Sequence, residues 1–350
     1  MTITAPTLVK QPEAPGRPPL LEVKGVSKRF PVRLGLTKKG YVSAVEDLSF
    51  NVKAGTTFGI VGESGCGKST AARLILGLID VDAGDVLFEG SNVIRARRAP
   101  RIREDNRALK KNMQMVFQDP HSALNPRASI GEIVSFPMKV HGYSKEQRVD
   151  RTRWLLEQVG LHANHASYYP HQLSGGQRQR VNIARALALS PKLVVCDEAV
   201  SALDKSVQAQ VLNLLQDLQA DLGLTYIFIS HDLNVVQYVS DQVLVMYLGQ
   251  AVEMTTAERL YSQPLHPYSQ ALLASIPKIG YDDEPEIEAP RLEGELPSPL
   301  NPPSGCRFRT RCPFAMDICA DERPPIVEAA PGHEVACHLY SEGSTEPLRV

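Results

Sequence analysis

The chain has 350 residues, with 38 Lys and Arg against 39 Asp and Glu, and hydrophobic residues make up 43% of it. This length suits one large domain and a smaller one, and the balanced charge gives no indication of a nucleic-acid-binding protein. No apolar run approaches the roughly 18 residues of a membrane span, so we expect a cytoplasmic chain that reaches a membrane only through a partner.

The first 19 residues contain five prolines and lack the hydrophobic core of a signal peptide. Such a composition is typical of disorder, and we predict a disordered tail over residues 1–19.

Two alternating apolar patterns follow, from Leu21 to Phe30 and from Ala44 to Val52. They predict antiparallel strands joined by a loop. Tyr41 lies in that predicted loop, where its ring could stack on an adenine or simply anchor the surface. Phe30 is the alternative stacking residue.

A glycine-rich segment lies between the apolar run Phe58 to Val61 and a helical pattern from Thr70 to Ile79. It fits G-x-x-x-x-G-K-[ST], in which backbone N–H groups at a helix N-terminus bind nucleotide phosphates. In such a loop Lys68 reaches the β- and γ-phosphates, and the Ser69 hydroxyl ligates Mg²⁺. The predicted nucleotide-binding residues are Tyr41, Gly62, Glu63, Ser64, Gly65, Cys66, Gly67, Lys68, Ser69 and Thr70.

Acidic and polar residues stand at the ends of later predicted strands. The apolar run from Leu193 ends in Asp197 and Glu198, as expected of a strand buried on both faces. Asp197 is expected to hold Mg²⁺ through water, and Glu198 to orient and polarise the attacking water. Gln118 follows another short strand, and its amide oxygen could face a metal or a water.

His231 follows a further predicted strand, Tyr226 to Ser230. Because parallel strands end at one edge of a sheet, we expect His231 near the same phosphates, in contact with the γ-phosphate.

The segment Leu173-Ser174-Gly175-Gly176-Gln177 opens another helical pattern. It is either a second anion-binding helix N-terminus or a serine N-cap with flexible glycines.

In order and spacing, these segments resemble the six motifs of ABC-transporter nucleotide-binding subunits. The resemblance rests on Gly62 to Ser69, Gln118, Leu173 to Gln177, Leu193 to Glu198, Ser201 to Asp204, and His231. Two later segments, His266 to Tyr268 and Gly294 to Pro303, resemble the C-terminal extension of dipeptide and oligopeptide importer ATPases. One departure is Ala199, where the family usually has proline; the loss of that φ constraint removes no chemical group.

The resemblance implies an α/β fold of the P-loop NTPase type. It would combine a RecA-like parallel sheet, an antiparallel β subdomain, an inserted helical subdomain and a small Cys-containing C-terminal domain. The implied ranges are 20–265 for the ATPase domain, about 121–188 for its helical subdomain, and 266–350 for the extension.

The resemblance also implies a function: ATP hydrolysis that powers import of dipeptides or oligopeptides at the cytoplasmic face of a membrane. Two ATPase chains would stack head to tail, so that Ser174, Gly175, Gly176 and Gln177 face the partner's ATP, and Asp204 would belong to the D-loop. The implied catalytic residues are Glu198, His231 and Gln118, and the implied Mg²⁺ ligands are Ser69, Gln118 and Asp197.

Its implied partners are a related ATPase chain in a heterodimer, two transmembrane permease subunits and, indirectly, an extracytoplasmic solute-binding protein, with no nucleic acid. The alternatives are an importer ATPase for nickel, glutathione, an opine or a sugar, a redox or iron-sensing regulatory module, and a non-transport ABC ATPase. The last would normally show a long coiled coil or two nucleotide domains, and neither is visible.

Four cysteines lie within residues 306–337, at positions 306, 312, 319 and 337. The spacing lacks the close pairs of structural zinc sites, whereas four Cys ligands suit an iron–sulfur cluster. Importer ATPases with a similar pattern look to carry 4Fe-4S there, so we expect a cluster on Cys306, Cys312, Cys319 and Cys337. Zinc and no metal remain the alternatives.

Overall fold

The computed structural model describes residues 18–33, 39–94, 103–276 and 295–346. Most of the predicted tail (residues 1–17) and Gly294 lie outside these ranges. No helix in the described ranges is both long and apolar enough to cross a bilayer.

Strands and helices alternate through most of the chain. The strands are β1 (Leu21–Arg33), β2 (Lys39–Val52), β3 (Thr57–Val61), β4 (Ala83–Phe88), β5 (Ser91–Asn92), β6 (Met113–Val116), β7 (Leu193–Asp197), β8 (Thr225–Ile229), β9 (Gln242–Tyr247), β10 (Gln250–Thr256), β11 (Val327–Ala330) and β12 (His333–Val335). The helices are α1 (Lys68–Ile75), α2 (Arg103–Asn112), α3 (Pro120–Ala123), α4 (Ile130–Val140), α5 (Lys145–Gln158), α6 (Gly175–Ala186), α7 (Lys205–Leu222), α8 (Leu233–Val239), α9 (Ala257–Ser262), α10 (Pro267–Ala274) and α11 (Ile318–Asp321).

An eight-stranded sheet in the order β11-β12-β10-β9-β3-β8-β7-β6 forms the centre of the molecule. Strands β9, β3, β8, β7 and β6 run parallel, while β10, β12 and β11 are added antiparallel. Every residue of β3, β7 and β8 is buried. Burial on both faces explains why these strands are continuous apolar runs.

A second sheet, in the order β2-β1-β4-β5, is wholly antiparallel. Its inner face packs with α1 and one face of the central sheet around Phe50, Phe58 and Phe88. The predicted combination of a parallel sheet and an antiparallel β subdomain is confirmed.

Helices α3 to α6 lie in sequence between β6 and β7. Three of them begin at serines, Ser129, Ser144 and Ser174, each of which accepts a hydrogen bond from the backbone three residues on within a capping box. Such caps satisfy the free N–H groups of a helix start. A shared core that includes Val134, Leu155 and Val181 holds the helices together.

Candidate functional site

The glycine-rich loop between β3 and α1 contains three glycines with positive φ: Gly62 (149°), Gly65 (80°) and Gly67 (109°). A Cβ atom at Gly62 would lie 2.2 Å from the Met246 carbonyl oxygen, and one at Gly67 would lie 2.1 Å from the Ala44 carbonyl oxygen. Two of the glycines are therefore required by packing against neighbouring strands, in addition to the approach of a phosphate that the sequence predicts.

Lys68 is the first residue of α1, and its side chain is buried against this loop. Its Nζ donates to the carbonyl oxygens of Gly62 at 2.7 Å and Glu63 at 2.9 Å. These two hydrogen bonds hold the ammonium group against the backbone of the loop. The loop predicted to bind phosphate therefore has a positively charged group beside it. Ser64 is exposed at the tip of the loop, Cys66 is buried, and Thr70 is half-buried in α1.

Ser69 and Asp197 meet although one lies in the first turn of α1 and the other ends β7. Ser69 Oγ donates a 2.8 Å hydrogen bond to Asp197 Oδ1. Burial raises the pKa of Asp197, the charge of Glu198 adds to this rise, and the Ser69 hydrogen bond opposes it. A hydroxyl and a carboxylate oxygen are hard ligands of the kind that Mg²⁺ prefers alongside water and phosphate oxygens, so this pair fits the predicted Mg²⁺.

Gln118, Glu198 and His231 converge at the same sheet edge. Glu198 Oε2 accepts a 2.7 Å hydrogen bond from Gln118 Nε2 and lies 3.5 Å from His231 Nδ1. The Glu198 side chain is 16% exposed and that of His231 is 56% exposed. The structure thus brings the three predicted catalytic residues together, with the carboxylate half-enclosed and the imidazole open to an incoming ligand.

The turn that carries Glu198 is held by backbone contacts. Glu198 has φ 47°, its N–H donates to the Ile229 carbonyl oxygen at 2.9 Å, and its own carbonyl accepts from Ser201 N and Oγ. Ala199, which replaces the family's proline, is buried in the helical core. Hydrogen bonds therefore define this turn without the proline.

The predicted signature segment forms the start of α6. Ser174 Oγ accepts from the Gln177 N–H at 3.3 Å, and Gln177 Oε1 accepts from the Ser174 N–H at 2.9 Å. A Cβ atom at Gly176 would lie 2.5 Å from Val207 Cγ1, whereas one at Gly175 would meet nothing closer than 4.0 Å. Gly175 therefore has free space on its side-chain face within this chain, and contact with a partner's ATP remains a prediction.

Asp204 caps helix α7: its Oδ1 accepts from the Val207 N–H at 2.9 Å and from the Ser206 hydroxyl at 2.7 Å. Its carboxylate is exposed. Its assignment to a D-loop stays a prediction.

Tyr41 does not lie in a loop, and that part of the prediction is wrong. It belongs to β2, paired with Pro31 of β1, because the two strands extend well beyond their apolar patterns. The ring is 60% exposed, and Phe30 on β1 is 37% exposed. Both rings are open to a ligand, and their role toward adenine remains a prediction.

The predicted iron–sulfur site is wrong. All four C-terminal cysteines are free thiols, and in the described ranges no group of three or more His, Cys, Asp or Glu side chains could hold a metal ion. Cys306 and Cys312 pack with the apolar cluster around Tyr268 and Phe308, whereas Cys337 packs with a separate cluster around Leu265.

Burial also determines the acidity of these thiols. Burial raises the pKa of Cys306, that of Cys312 to about 11 and that of Cys337 to about 12, and neighbouring thiols add to each rise. Because the described residues contain no group that could hold a metal, the 4Fe-4S and zinc assignments are withdrawn, and the redox or iron-sensing alternative loses its basis.

Sequence reasoning missed residues of the C-terminal region that contact the phosphate loop. Arg311 pairs with Glu63, and the Tyr268 hydroxyl accepts from the Glu63 N–H. Tyr268 belongs to the segment His266 to Tyr268 that resembles the importer extension. No local pattern, however, marks Arg311 as a contact of a loop almost 250 residues earlier.

Comparison with known families places these motifs in one group of proteins. Residues 45–201 match the family model described as ABC transporter, and residues 252–319 match that of the oligopeptide/dipeptide transporter, C-terminal region. The oligopeptide transport ATP-binding protein AppF of Bacillus subtilis is 51% identical over 92% of this chain and 98% of its own length. A probable peptide ABC transporter ATP-binding protein of Sinorhizobium fredii is 50% identical over 91% of this chain and 90% of its own.

Solved structures confirm the predicted ABC-type ATPase fold, but not the small Cys-containing C-terminal domain. The chain is similar to cbiO1 of Clostridium perfringens, part of the ABC transporter complex cbiONQ, with a TM-score of 0.61 and 26% identity over 71% of this chain and 92% of that one. It is also similar to an ATP-binding cassette in a dimeric post-hydrolysis state bound to ADP and Pi, with a TM-score of 0.58 and 28% identity over 68% of this chain and 98% of the other.

Proposed function

The chain belongs to the ABC-transporter ATP-binding proteins that carry the oligopeptide/dipeptide C-terminal region, and we propose that it hydrolyses ATP to power peptide import through a membrane permease. The observation that carries this proposal is the convergence of Gln118, Glu198 and His231 beside the Ser69–Asp197 pair. Such a site can bind a nucleoside triphosphate and orient a water molecule for attack on its terminal phosphate.

Each side chain has a separate task in this chemistry. The phosphate-loop N–H groups and Lys68 bind and orient the phosphates. Glu198 accepts a hydrogen bond from the attacking water and polarises it, Gln118 fixes the direction of that carboxylate, and His231 contacts the γ-phosphate. Ser69 and Asp197, with Gln118 as the third predicted ligand, would hold Mg²⁺, which when bound neutralises part of the phosphate charge.

We place a second ATPase chain against the start of α6. In a head-to-tail pair, Ser174, Gly175 and Gly176 of each chain would close over the ATP of the other, and water would be excluded from the γ-phosphate. The open side-chain face of Gly175 supports this arrangement, as does the dimeric state of the structural relative. The partner is expected to be a related but different chain.

A groove of about 540 Å³ between the central sheet and the helical segment is the proposed docking site for the permease at the cytoplasmic face of the membrane. Its apolar lining includes Leu78, Leu109, Met113 and Phe117. Phe117 is 41% exposed and immediately precedes Gln118. A permease segment in the groove would therefore contact the residue next to Gln118 of the hydrolytic site. This proximity supports mechanical coupling between the permease and that site.

The test is reconstitution of the chain with its partner ATPase, two permease subunits and the solute-binding protein in vesicles. We expect ATP-dependent uptake of a labelled dipeptide or oligopeptide that Glu198→Gln abolishes. Uptake of nickel, glutathione, an opine or a sugar instead of peptides would identify the solute differently, and the absence of ATP hydrolysis in the assembled complex would contradict the proposal as a whole.

A further inference from the structure

Arg311, in the C-terminal region, forms a two-bond ion pair with Glu63 of the phosphate loop. Arg311 Nη1 lies 2.8 Å from Glu63 Oε2, and Arg311 Nη2 lies 3.1 Å from Glu63 Oε1. The Arg311 side chain is 6% exposed and that of Glu63 is 24% exposed. A bidentate pair of this kind fixes the orientation of the carboxylate as well as its position.

Tyr268 holds the backbone of the same loop residue. The Glu63 N–H donates a 2.8 Å hydrogen bond to the Tyr268 hydroxyl. The Tyr268 ring is fully buried, with its centroid 4.7 Å from that of Tyr247 and 5.5 Å from that of Phe308. Both the side chain and the main chain of Glu63 are therefore anchored to residues that follow the ATPase core in sequence.

Cys66, near the other end of the loop, is linked to the C-terminal region through one intervening residue pair, Leu248 and Gly249. The Gly249 N–H donates to the Cys66 carbonyl oxygen at 2.8 Å, and the neighbouring Leu248 carbonyl accepts from the buried guanidinium of Arg307, which also pairs with Glu46. Arg307 and Arg311 thus support the phosphate loop from two sides.

Movement of Glu63 would disturb the atoms that receive phosphate. Glu63 directly follows Gly62, and the carbonyl oxygens of these two residues are the ones that hold Lys68 Nζ. A loop already fixed in its binding shape loses less conformational freedom when a nucleotide arrives, and therefore binds it more tightly.

We propose that Arg311 is a positioning residue for the phosphate loop: through Glu63 it keeps the loop in the shape that receives the nucleotide phosphates, so that the C-terminal region sets the nucleotide affinity of the ATPase core. The inference rests on the proposed ATP-binding function. It assigns Arg311 no contact with the nucleotide.

The competing explanation is purely electrostatic, in which Arg311 only neutralises a carboxylate close to the phosphates. The two explanations predict opposite effects of Glu63→Gln. If Arg311 positions the loop, Glu63→Gln breaks the bidentate pair and weakens nucleotide binding. If it only neutralises charge, the same substitution removes a negative charge near the phosphates and strengthens binding.

The experiment is titration of the full chain with MgADP, which is not hydrolysed, for the wild type, Arg311→Gln, Glu63→Gln and Arg309→Gln. Arg309 is the matched control because its guanidinium donates to the carbonyl oxygen and the hydroxyl of Ser304, within the same region. We expect the dissociation constant to rise about tenfold for Arg311→Gln, in line with the loss of charged hydrogen bonds, and less than about twofold for Arg309→Gln.

The assembled transporter supplies a second readout. For Arg311→Gln we expect the KM for ATP to rise by a similar factor while kcat stays within about twofold, since the hydrolytic groups are untouched. If Arg311→Gln fails to fold, Tyr268→Phe removes only the hydroxyl that accepts from Glu63, and we expect it to weaken MgADP binding about threefold while the chain stays folded with a melting temperature lowered by only a few degrees.

Unchanged MgADP affinity in folded Arg311→Gln, or tighter binding by Glu63→Gln, overturns the inference. Failure of the wild-type chain itself to bind MgADP would instead contradict the proposed function, so the two failures are distinguishable.

Discussion

Gln118 and Glu198 lie 80 positions apart in sequence, and the Gln118 side-chain amide donates a 2.7 Å hydrogen bond to the Glu198 carboxylate. This contact links the strand end that precedes the helical segment to the strand end that follows it. A shift of the helical segment that moved Gln118 would reorient the carboxylate, so hydrolysis would be sensitive to the state of that segment.

Glu198→Gln is expected to lower kcat for ATP hydrolysis at least about 100-fold, because the amide cannot polarise the attacking water. MgADP affinity should stay within about twofold, since the phosphate loop is intact. Glu157→Gln, on the exposed face of α5, is the control and should retain full activity. Hydrolysis by Glu198→Gln at more than a tenth of the wild-type rate would exclude Glu198 as the catalytic carboxylate.

Asp197→Asn is expected to stabilise the nucleotide-free chain while it removes Mg²⁺-dependent hydrolysis. Burial raises the pKa of Asp197, which means that its ionised form is less favourable in the folded chain than in the unfolded one. Asparagine removes that cost at pH 7 and still accepts from Ser69, so the free energy of unfolding should rise by about 0.5–2 kcal/mol.

The pH dependence of that difference follows from the raised pKa. The destabilisation by ionised Asp197 is present above its folded pKa and disappears below its unfolded value of about 3.9, where both states are protonated. Urea unfolding from pH 7 to pH 4 should therefore show the advantage of Asp197→Asn shrinking as pH falls. An advantage that grows on acidification would contradict this assignment.

Gly175→Ala and Gly176→Ala should separate contact with a partner from folding of the chain. An added Cβ finds space at Gly175 but lies 2.5 Å from Val207 at Gly176. We expect Gly175→Ala to keep its melting temperature and to lower ATPase activity of the assembled complex more than about tenfold, as loss of a close transition-state contact does. Gly176→Ala should lower both quantities. Full activity of Gly175→Ala would argue against the head-to-tail arrangement.

Glu253 is a buried acceptor at which three donors meet, two of them from the C-terminal region. Its carboxylate accepts from the N–H groups of Leu265 at 2.8 Å and His266 at 2.9 Å, and lies 2.8 Å from His333 Nε2. Glu253→Ala leaves these groups without their acceptor and should reduce the free energy of unfolding by about 3–5 kcal/mol. Glu258→Ala, at an exposed position of α9, is the control in the same urea titration; a loss below 1 kcal/mol for Glu253→Ala would show that water replaces the carboxylate.

The thiols of Cys312 and Cys337 should react as buried, protonated groups. Since burial raises their pKa to about 11 and about 12, their alkylation by iodoacetamide should accelerate about tenfold per pH unit from pH 7 to pH 9.5, where a cysteine of ordinary pKa, about 8.5, levels off. Peptide mass spectrometry follows each site, and prior treatment with a chelator should leave the rates unchanged. A plateau near pH 9 would show that the thiols are ordinary ones.

Local sequence patterns predicted most of the residues that meet at the sheet edge beside the phosphate loop. Ser69 follows a loop whose glycines and lysine are recognisable in sequence, and Asp197, Glu198 and His231 follow apolar runs that become central strands. Because parallel strands end at one edge, residues at those positions had to lie close together.

Contacts set by tertiary packing could not be predicted in this way. The pair between Arg311 and Glu63 joins residues 248 positions apart, and neither residue stands in a pattern that specifies the other. Tyr41 was misplaced because β2 extends beyond its apolar pattern by pairing with β1, and the cysteine spacing carries no information about which apolar cluster each thiol joins.

The pairing of β12 with β10 also affects the tendency of the protein to aggregate. Glu253 and Met254 of β10 are bridged to Val335 and Glu334 of β12, so the C-terminal region covers a strand that would otherwise be the last of the sheet. A bare last strand presents unpaired N–H and C=O groups to which the strands of other molecules can add. A fragment cut before residue 327 would carry such an edge, and its tendency to precipitate would be a property of the cut rather than of the ATPase fold.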